Sequence, residues 1–238
     1  MISLIVYTPP PSPCSYLPQE QSQLTYEVVA QLTPEEYLFR LQNGWRRFGH
    51  ALFKPECGTC QACQSLRVPV ATFKPDRSQR RAAAANDGEV TLVIGAPRVT
   101  RAKLDLYDRF HAAQHLTVGW QQHAPESPTA YADTFVDNPI PTEEWCYFLN
   151  DKLVGVGYVD VLPEGFSAIY YFHDPEERDC SLGTYNVLCI LREAGRRQLP
   201  YVYLGYYVAG CRSLEYKARF RPNEVLHPDG EWRAFLQS

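Results

Sequence analysis

The chain has 238 residues, 45% of them hydrophobic, and a formal charge of −4. That length buries a sizeable core in one large or two small domains, and the slight negative charge excludes a surface that coats polyanions wholesale. A polyanionic partner would have to meet charge gathered locally, and the arginine pairs at 46–47, 80–81 and 196–197 are where the sequence gathers it.

Met1 to Tyr7 is apolar, but it lacks a basic leader, breaks at Pro9-Pro10-Pro11 and is too short to span a bilayer, so it reads as neither signal peptide nor anchor. Eight cysteines without an export signal, three of them in one Cys-x-x-Cys-x-x-Cys run, imply reduced cytosolic thiols. Thr33-Pro-Glu-Glu36 has the pattern of a capping box with proline in the first turn, and Gly44 follows the last periodic residue, so a short helix is expected over 34–43. Trp45, Arg46 and Arg47 leave that helix. Cys57 to Cys63 reads as a loop, since Gly58 and Thr59 discourage regular structure. Leu66 to Phe73 is expected as an edge strand because Pro69 cannot donate within a ladder. Arg77 to Gly88 is basic and alanine-rich, a helix or ordered arm, and Val90 to Ile94 is a strand.

Thr100 caps a helix carrying Leu104, Tyr107, Phe110 and His111 on one side, and Ser127-Pro128 opens another with Tyr131 and Phe135. A domain change is expected within about 82–100, dividing a cysteine- and arginine-containing module (1–90) from a second domain (91–238). Trp145 to Leu149 and Leu153 to Leu162 form a hairpin around Asn150-Asp151, with Gly155 and Gly157 marking bulges or close backbone approach. Phe166 to Phe172 is the next strand, and Leu182 to Gln198 a helix begun by Asp179 or Ser181. Tyr201 to Tyr207 is aromatic and β-branched enough to be buried on both faces. Glycines 205 and 210 loosen it, and a short helix from Cys211 to Phe220 precedes Pro222.

Cys57, Cys60 and Cys63 have metal-ligand spacing, and Cys14 is the candidate fourth ligand of a closed tetrahedral site. Structural zinc comes first and an iron–sulfur cluster second, since both accept four thiolates; the alternative is three reduced thiols without metal. Cys146, Cys180, Cys189 and Cys211 share no spacing and read as small buried hydrophobes.

Leu204-Gly-Tyr-Tyr-Val208, Tyr216-Lys217 and Phe220-Arg-Pro-Asn-Glu224 together resemble the C-terminal signature of the aminoacyl-tRNA–protein transferases of the N-degron pathway. The resemblance extends through Cys14-Ser-Tyr-Leu-Pro18, Gly44-Trp-Arg-Arg-Phe-Gly49, Cys57 to Cys63, Phe73 to Arg81 and Ser181-Leu-Gly-Thr-Tyr185. The short length is similar to the bacterial branch, which transfers leucine to N-terminal Asp or Glu; arginine is the alternative. In that family an N-terminal cysteine motif pairs with a second cluster, and the sites are associated with zinc or an iron–sulfur cluster. Leu17 stands where the eukaryotic pattern has its second N-terminal cysteine, and ligation by residues 14, 57, 60 and 63 would restore the count. The order hairpin, strand, helix, strand, helix matches the GNAT-like (N-acetyltransferase superfamily) acyltransferase fold. The expected class is therefore α+β, an N-terminal cysteine module followed by a GNAT-like domain in which two adjacent strands splay to hold the acyl donor.

The resemblance implies that an aminoacyl group moves from the tRNA 3′ end to an α-amine in the gap between Ala168–Phe172 and Tyr203–Tyr207. Asp174 is the implied general base, with His173 as alternative and the Tyr206 and Tyr207 hydroxyls as relays. Tyr170, Ser181, Gly183 and Tyr185 would line the substrate, and Lys217, Arg219 or Arg221 would meet the acceptor carboxylate. Arg46, Arg47, Arg67, Arg80 and Arg81 would contact tRNA phosphates, with Tyr16 and Trp45 stacking on the unpaired end. No cofactor is required for the chemistry. The implied partners are aminoacyl-tRNA, leucyl-tRNA favoured, and proteins beginning with Asp or Glu, in the cytoplasm and without a membrane. An acetyl-CoA-dependent acetyltransferase is weakened by reduction of its Gly-rich loop to Ser181-Leu-Gly183. A non-catalytic RNA-binding or thiol-metal adaptor leaves the Leu-Gly-Tyr-Tyr strand without a task.

Overall fold

The computed structural model describes residues 1–122, 124–177 and 180–235, and two main sheets organise them. The chain opens with β1 (Ile2–Tyr7), the short pair β2 (Ser12–Pro13) and β3 (Gln21–Ser22), then β4 (Leu24–Gln31), α1 (Pro34–Gln42), β5 (Arg46–Phe48) and β6 (Ala51–Pro55). Antiparallel strands in the order β1-β4-β6-β5 make the smaller sheet. Alternation in β4 turns Thr25, Glu27 and Val29 inward. Both halves of the Thr33 capping box form, and α1 buries Tyr37, Leu38 and Leu41 against Leu52, Leu162 and Tyr203.

The larger sheet uses β7 (Gln64–Pro69), then, after α2 (Arg77–Asn86), β8 (Val90–Gly95). Next come α3 (Arg101–Val118), α4 (Pro128–Tyr131), β9 (Thr142–Leu149), β10 (Lys152–Leu162), β11 (Gly165–His173), α5 (Leu182–Arg196) and β12 (Tyr201–Tyr207). The chain closes with α6 (Arg212–Glu215), β13 (Glu224–Leu226) and β14 (Trp232–Ala234). Its eight strands run in the order β14-β13-β7-β12-β11-β10-β9-β8. Asn150 and Asp151, at φ 48° and 62°, make the tight β9–β10 turn that two left-handed residues favour. β11 and β12 are the parallel pair, and parallel neighbours need a crossover, which α5 supplies. Leu182, Tyr185, Leu188 and Ala194 of α5 pack on one face of the sheet, while Leu104, Phe110, Tyr131 and Phe135 cover the other.

Two expectations change. The strand expected at an edge is internal: β7 lies between β13 and β12, and its Pro69 is tolerated because it ends the strand opposite Tyr201. The helix expected over Cys211 to Phe220 is broken into α6 and a tight 3₁₀ turn over Tyr216–Arg219. β7 precedes the 82–100 segment and α2 runs into it; β7 joins the same sheet as the later strands, and α2 packs on α5. Gly155 permits close approach, since a Cβ there would lie 2.5 Å from the Tyr171 hydroxyl. Asp179 lies outside the described residues. Among the described residues no helix is long and apolar enough to cross a membrane.

Candidate active site

β11 and β12 pair only at Gly165↔Tyr201, Phe166↔Val202 and Ser167↔Tyr203. Beyond that point β11 stays with β10 as far as His173↔Gly155, while β12 stays with β7 as far as Tyr207↔Gln64. The cause is local. The β12 register slips between Tyr203 and Gly205, and Gly205 takes φ 81°, a left-handed conformation that side chains resist. A wedge therefore opens, and the backbone groups along its two edges lose the sheet partners that the first three pairs enjoy. One of them is met by Lys217, whose Nζ donates to the Tyr206 carbonyl at 3.0 Å.

Arg46, Tyr206 and Lys217 surround Gly205. Arg46 is 6% exposed, and its Nη1 donates to the carbonyls of Trp45 (2.7 Å) and Leu41 (3.4 Å). Its Nε and Nη2 are buried with no hydrogen-bond partner among the described residues. The guanidinium lies 5.1 Å from the centre of the Tyr206 ring. The Tyr206 hydroxyl donates to the Gly44 carbonyl at 2.7 Å, and burial raises its pKa. Burial, followed by the charge of Arg46, pushes the Lys217 ammonium down to about 7, against a smaller opposing effect of Cys211.

The predicted phosphate contacts separate. Arg47 is buried in an ion pair with Asp160, its Nε 3.0 Å from Oδ2, and also donates to Gly49 O, Asn138 Oδ1 and Thr142 Oγ1 at 2.8 Å each. No donor remains for a phosphate, so Arg47 is a core residue. Arg67 pairs with Glu224 at 2.7 Å and lies over the rings of Tyr201 and Trp232, which removes it from the phosphate set as well. Arg80 and Arg81 are exposed on α2, Arg80 donating to Pro75 O at 2.6 Å. Arg197 of the third doublet is held by Glu143 and Glu193. Arg219 and Arg221 are exposed, and Arg221 Nε donates to Ala218 O at 3.3 Å.

Asp174 does not suit a general base. It is 1% exposed and gripped by Lys152 (2.9 Å), Arg109 (3.1 Å) and the Glu176 N–H (3.1 Å). Burial opposes its charge, but these partners hold its carboxyl below the usual range, so it accepts a proton poorly. Its task is to tie the end of β11 to α3 and β10. His173 stacks on Tyr171, ring centres 5.6 Å apart. Tyr207 points into the large core against Phe235, away from the Tyr206 side of its strand, which removes it as a relay. The Tyr170 hydroxyl meets His111 Nε2 at 2.8 Å, and the Tyr185 hydroxyl donates to Asp87 at 3.1 Å. Ser181 begins α5 at φ 51° without a side-chain cap, and Gly183 faces open space.

Beside the wedge is a cavity of about 800 Å³ bordered by Cys14, Tyr16, Cys57, Cys60, Cys63 and Tyr206. Burial, then the nearness of Cys57, Cys14 and Cys60, pushes the Cys63 thiol up to about 12. Among the described residues no group of three or more His, Cys, Asp or Glu is arranged to hold a metal ion. Trp45 lies under the Arg40 guanidinium, 5.1 Å away. Sequence reasoning missed that Arg46 faces the wedge while Arg47 faces the core, although the strand period of two carried that signal.

The family described as arginine-tRNA-protein transferase matches with its N-terminal part over residues 12–81 and its C-terminal part over residues 102–227. An aspartate/glutamate leucyltransferase of Pseudomonas fluorescens strain SBW25 is 36% identical over 222 residues, 92% of each chain. One from Pseudomonas aeruginosa strain LESB58 is 37% identical over 224 residues, again 92% of each. Among solved structures, that of FemX aligns with a TM-score of 0.51 at 9% identity, over 87% of this chain and 82% of FemX. That likeness concerns the fold alone, a mixed α+β chain built on a large sheet.

Proposed function

The chain belongs to the arginine-tRNA-protein transferase family, and from that premise we propose that it moves leucine from leucyl-tRNA to the α-amine of cytoplasmic proteins beginning with Asp or Glu. In the N-degron scheme such a residue marks its bearer for degradation. The observation that carries the reading is the wedge, because the parting of β11 from β12 after Ser167 leaves two unpaired backbone edges facing one another.

The chemistry asks little of the protein beyond placement. An α-amine titrates near about 7.7–8.0, so a useful share is already neutral, and the ester it attacks is activated. Attack forms the new C–N bond and a tetrahedral oxyanion; collapse breaks the C–O bond to the ribose, and one proton passes from nitrogen to the departing oxygen. Backbone N–H groups on the wedge edges and at the start of α5, near Ser181 and Gly183, are suited to the oxyanion. Lys217 replaces Asp174 as the group to relay the proton, since its pKa of about 7 matches the operating pH. Tyr170 and Tyr206 support the two walls. Arg80 and Arg81, the exposed doublet, would position tRNA phosphates, and Tyr16 would stack beside the cavity.

Cys14, Cys57, Cys60 and Cys63 border one cavity but are not drawn together as ligands in this structure; four thiols are the chemistry that structural zinc or an iron–sulfur cluster would use if the loops closed on it. Such a group would brace the cysteine loops, and the transfer does not pass through it. Mass spectrometry of Asp- and Glu-initiated peptides, incubated with the protein and a full set of charged tRNAs, tests the reading. A gain of one leucine is expected; a gain of arginine would replace the donor, and no gain would remove the transferase assignment from this chain.

A further inference from the structure

We propose that Arg46 selects the acceptor: its Nε and Nη2 form the seat for the side-chain carboxylate of an N-terminal Asp or Glu, beside Gly205 where β11 and β12 part. The inference rests on the transferase reading and assigns one residue within it.

A guanidinium stays charged in a protein and asks for partners on its donors. Arg46 is 94% buried, yet two of its nitrogens have no partner among the described residues, and no ion pair there includes it. Burying such a charge uncompensated is costly, and a carboxylate supplies what is missing, charge and two acceptor oxygens in the geometry of a guanidinium edge. Residue 205 adds no side chain beside the two cations. A Cβ at that position would stand 3.9 Å from Arg46 Nε and 3.4 Å from Lys217 Nζ, so glycine keeps the approach to both cations clear. Gly205 and Lys217 remain partly open to solvent while Arg46 Nε and Nη2 are sealed from it, so the carboxylate reaches them by displacing the side chains that cover them.

The position also serves the reaction. In Asp or Glu the side-chain carboxylate and the α-amine are only a few bonds apart. Seating one on Arg46 brings the other beside Lys217 and the unpaired strand edges. Asn or Gln would bring an uncharged amide whose NH₂ faces donors, leaving Arg46 uncompensated, and a site built for one hydrogen-bonding pattern rejects its mismatch strongly. A tRNA phosphate is the poorer occupant, because Arg46 lies below the surface while Arg80 and Arg81 stand on it.

Calorimetric titration of the full chain, without tRNA, with peptides differing only in a first residue of Asp, Glu, Asn or Gln tests the seat. The unmodified protein should prefer acidic peptides by about 100-fold. Arg46→Gln should erase the preference, and Arg46→Lys should keep only part of it, since an ammonium lacks the fork. Leucyl-tRNA affinity should be unchanged in both. Equal binding of acidic and amide peptides by the unmodified protein overturns the proposal, as does a preference that survives Arg46→Gln or a loss of leucyl-tRNA binding with peptide binding intact. If Arg46→Gln fails to fold by circular dichroism, Arg46→Lys carries the same decision. An acidic preference in a protein that transfers no amino acid from any charged tRNA would uphold the seat and sink the transferase reading, so the two fail separately.

Discussion

Arg46 and Arg47 are neighbours on one short strand, and they live in opposite electrostatic worlds. Arg47 turns into the core, where Asp160, Thr142, Asn138 and Gly49 meet its donors. Arg46 turns into the wedge, where two of its nitrogens meet none of the described residues. The difference teaches that a buried arginine is structural when the fold closes its charge and becomes a candidate for binding when the fold leaves the charge open.

Breaking the closed side should have the largest effect. Asp160→Asn leaves the Arg47 guanidinium buried without its counter-charge and should lower stability by about 3–5 kcal/mol; a loss under about 1 kcal/mol in denaturant titration would contradict the account of that pair. Arg46→Gln should shift the denaturation midpoint less than Asp160→Asn, since it loses two donations to carbonyls but also removes an unpaired buried charge, while lowering kcat/KM for acidic acceptors by about 100-fold.

Lys217→Met should lower kcat by about 10²–10³ if the lysine relays the proton. Its pKa is depressed to about 7, so in the unmodified protein the relay gains strength as pH rises through that value. In Lys217→Met only the acceptor amine, near about 7.7–8.0, should remain in the rate profile. Identical profiles would exclude the relay.

Asp174→Asn sharpens the contrast from the other direction, with an expected stability loss of about 1–3 kcal/mol, reduced by the exposure of Lys152 and Arg109, and little change in rate. Because the folded pKa of Asp174 is lowered, its contribution is present above the unfolded value near about 4 and is lost as pH falls through the folded one. The variant should therefore show a shallower acid limb. A rate loss comparable to that of Lys217→Met would restore Asp174 to the chemistry. Gly205→Ala should cost about 1–2 kcal/mol from its left-handed backbone and reduce acidic acceptor binding by about tenfold as its methyl group crowds Lys217 and Arg46.

Much of the fold was legible because it is written in local signals. The Thr33 capping box, the Asn150-Asp151 turn, the Thr100 cap and the β-rich Tyr201–Tyr207 run each depend on residues close in sequence, and each forms where expected. The internal place of β7 was not legible, because Pro69 is harmless at a strand end that only pairing with β12 defines. The candidate site was legible in its location and not in its roles. Gly205, Tyr206 and Lys217 stand out in the chain, whereas the neutralisation of Arg47 by Asp160 and of Asp174 by Lys152 and Arg109 joins residues far apart along it.

By itself the sequence determined the elements, the family motifs and the position of the glycine that loosens β12, since propensity, capping and backbone freedom act over a few residues. Tertiary structure alone decided which charges are closed and which are open. The Coulomb energy of a side chain depends on what faces it across the fold and on how much water remains, and neither quantity is a property of the residue or of its neighbours in sequence.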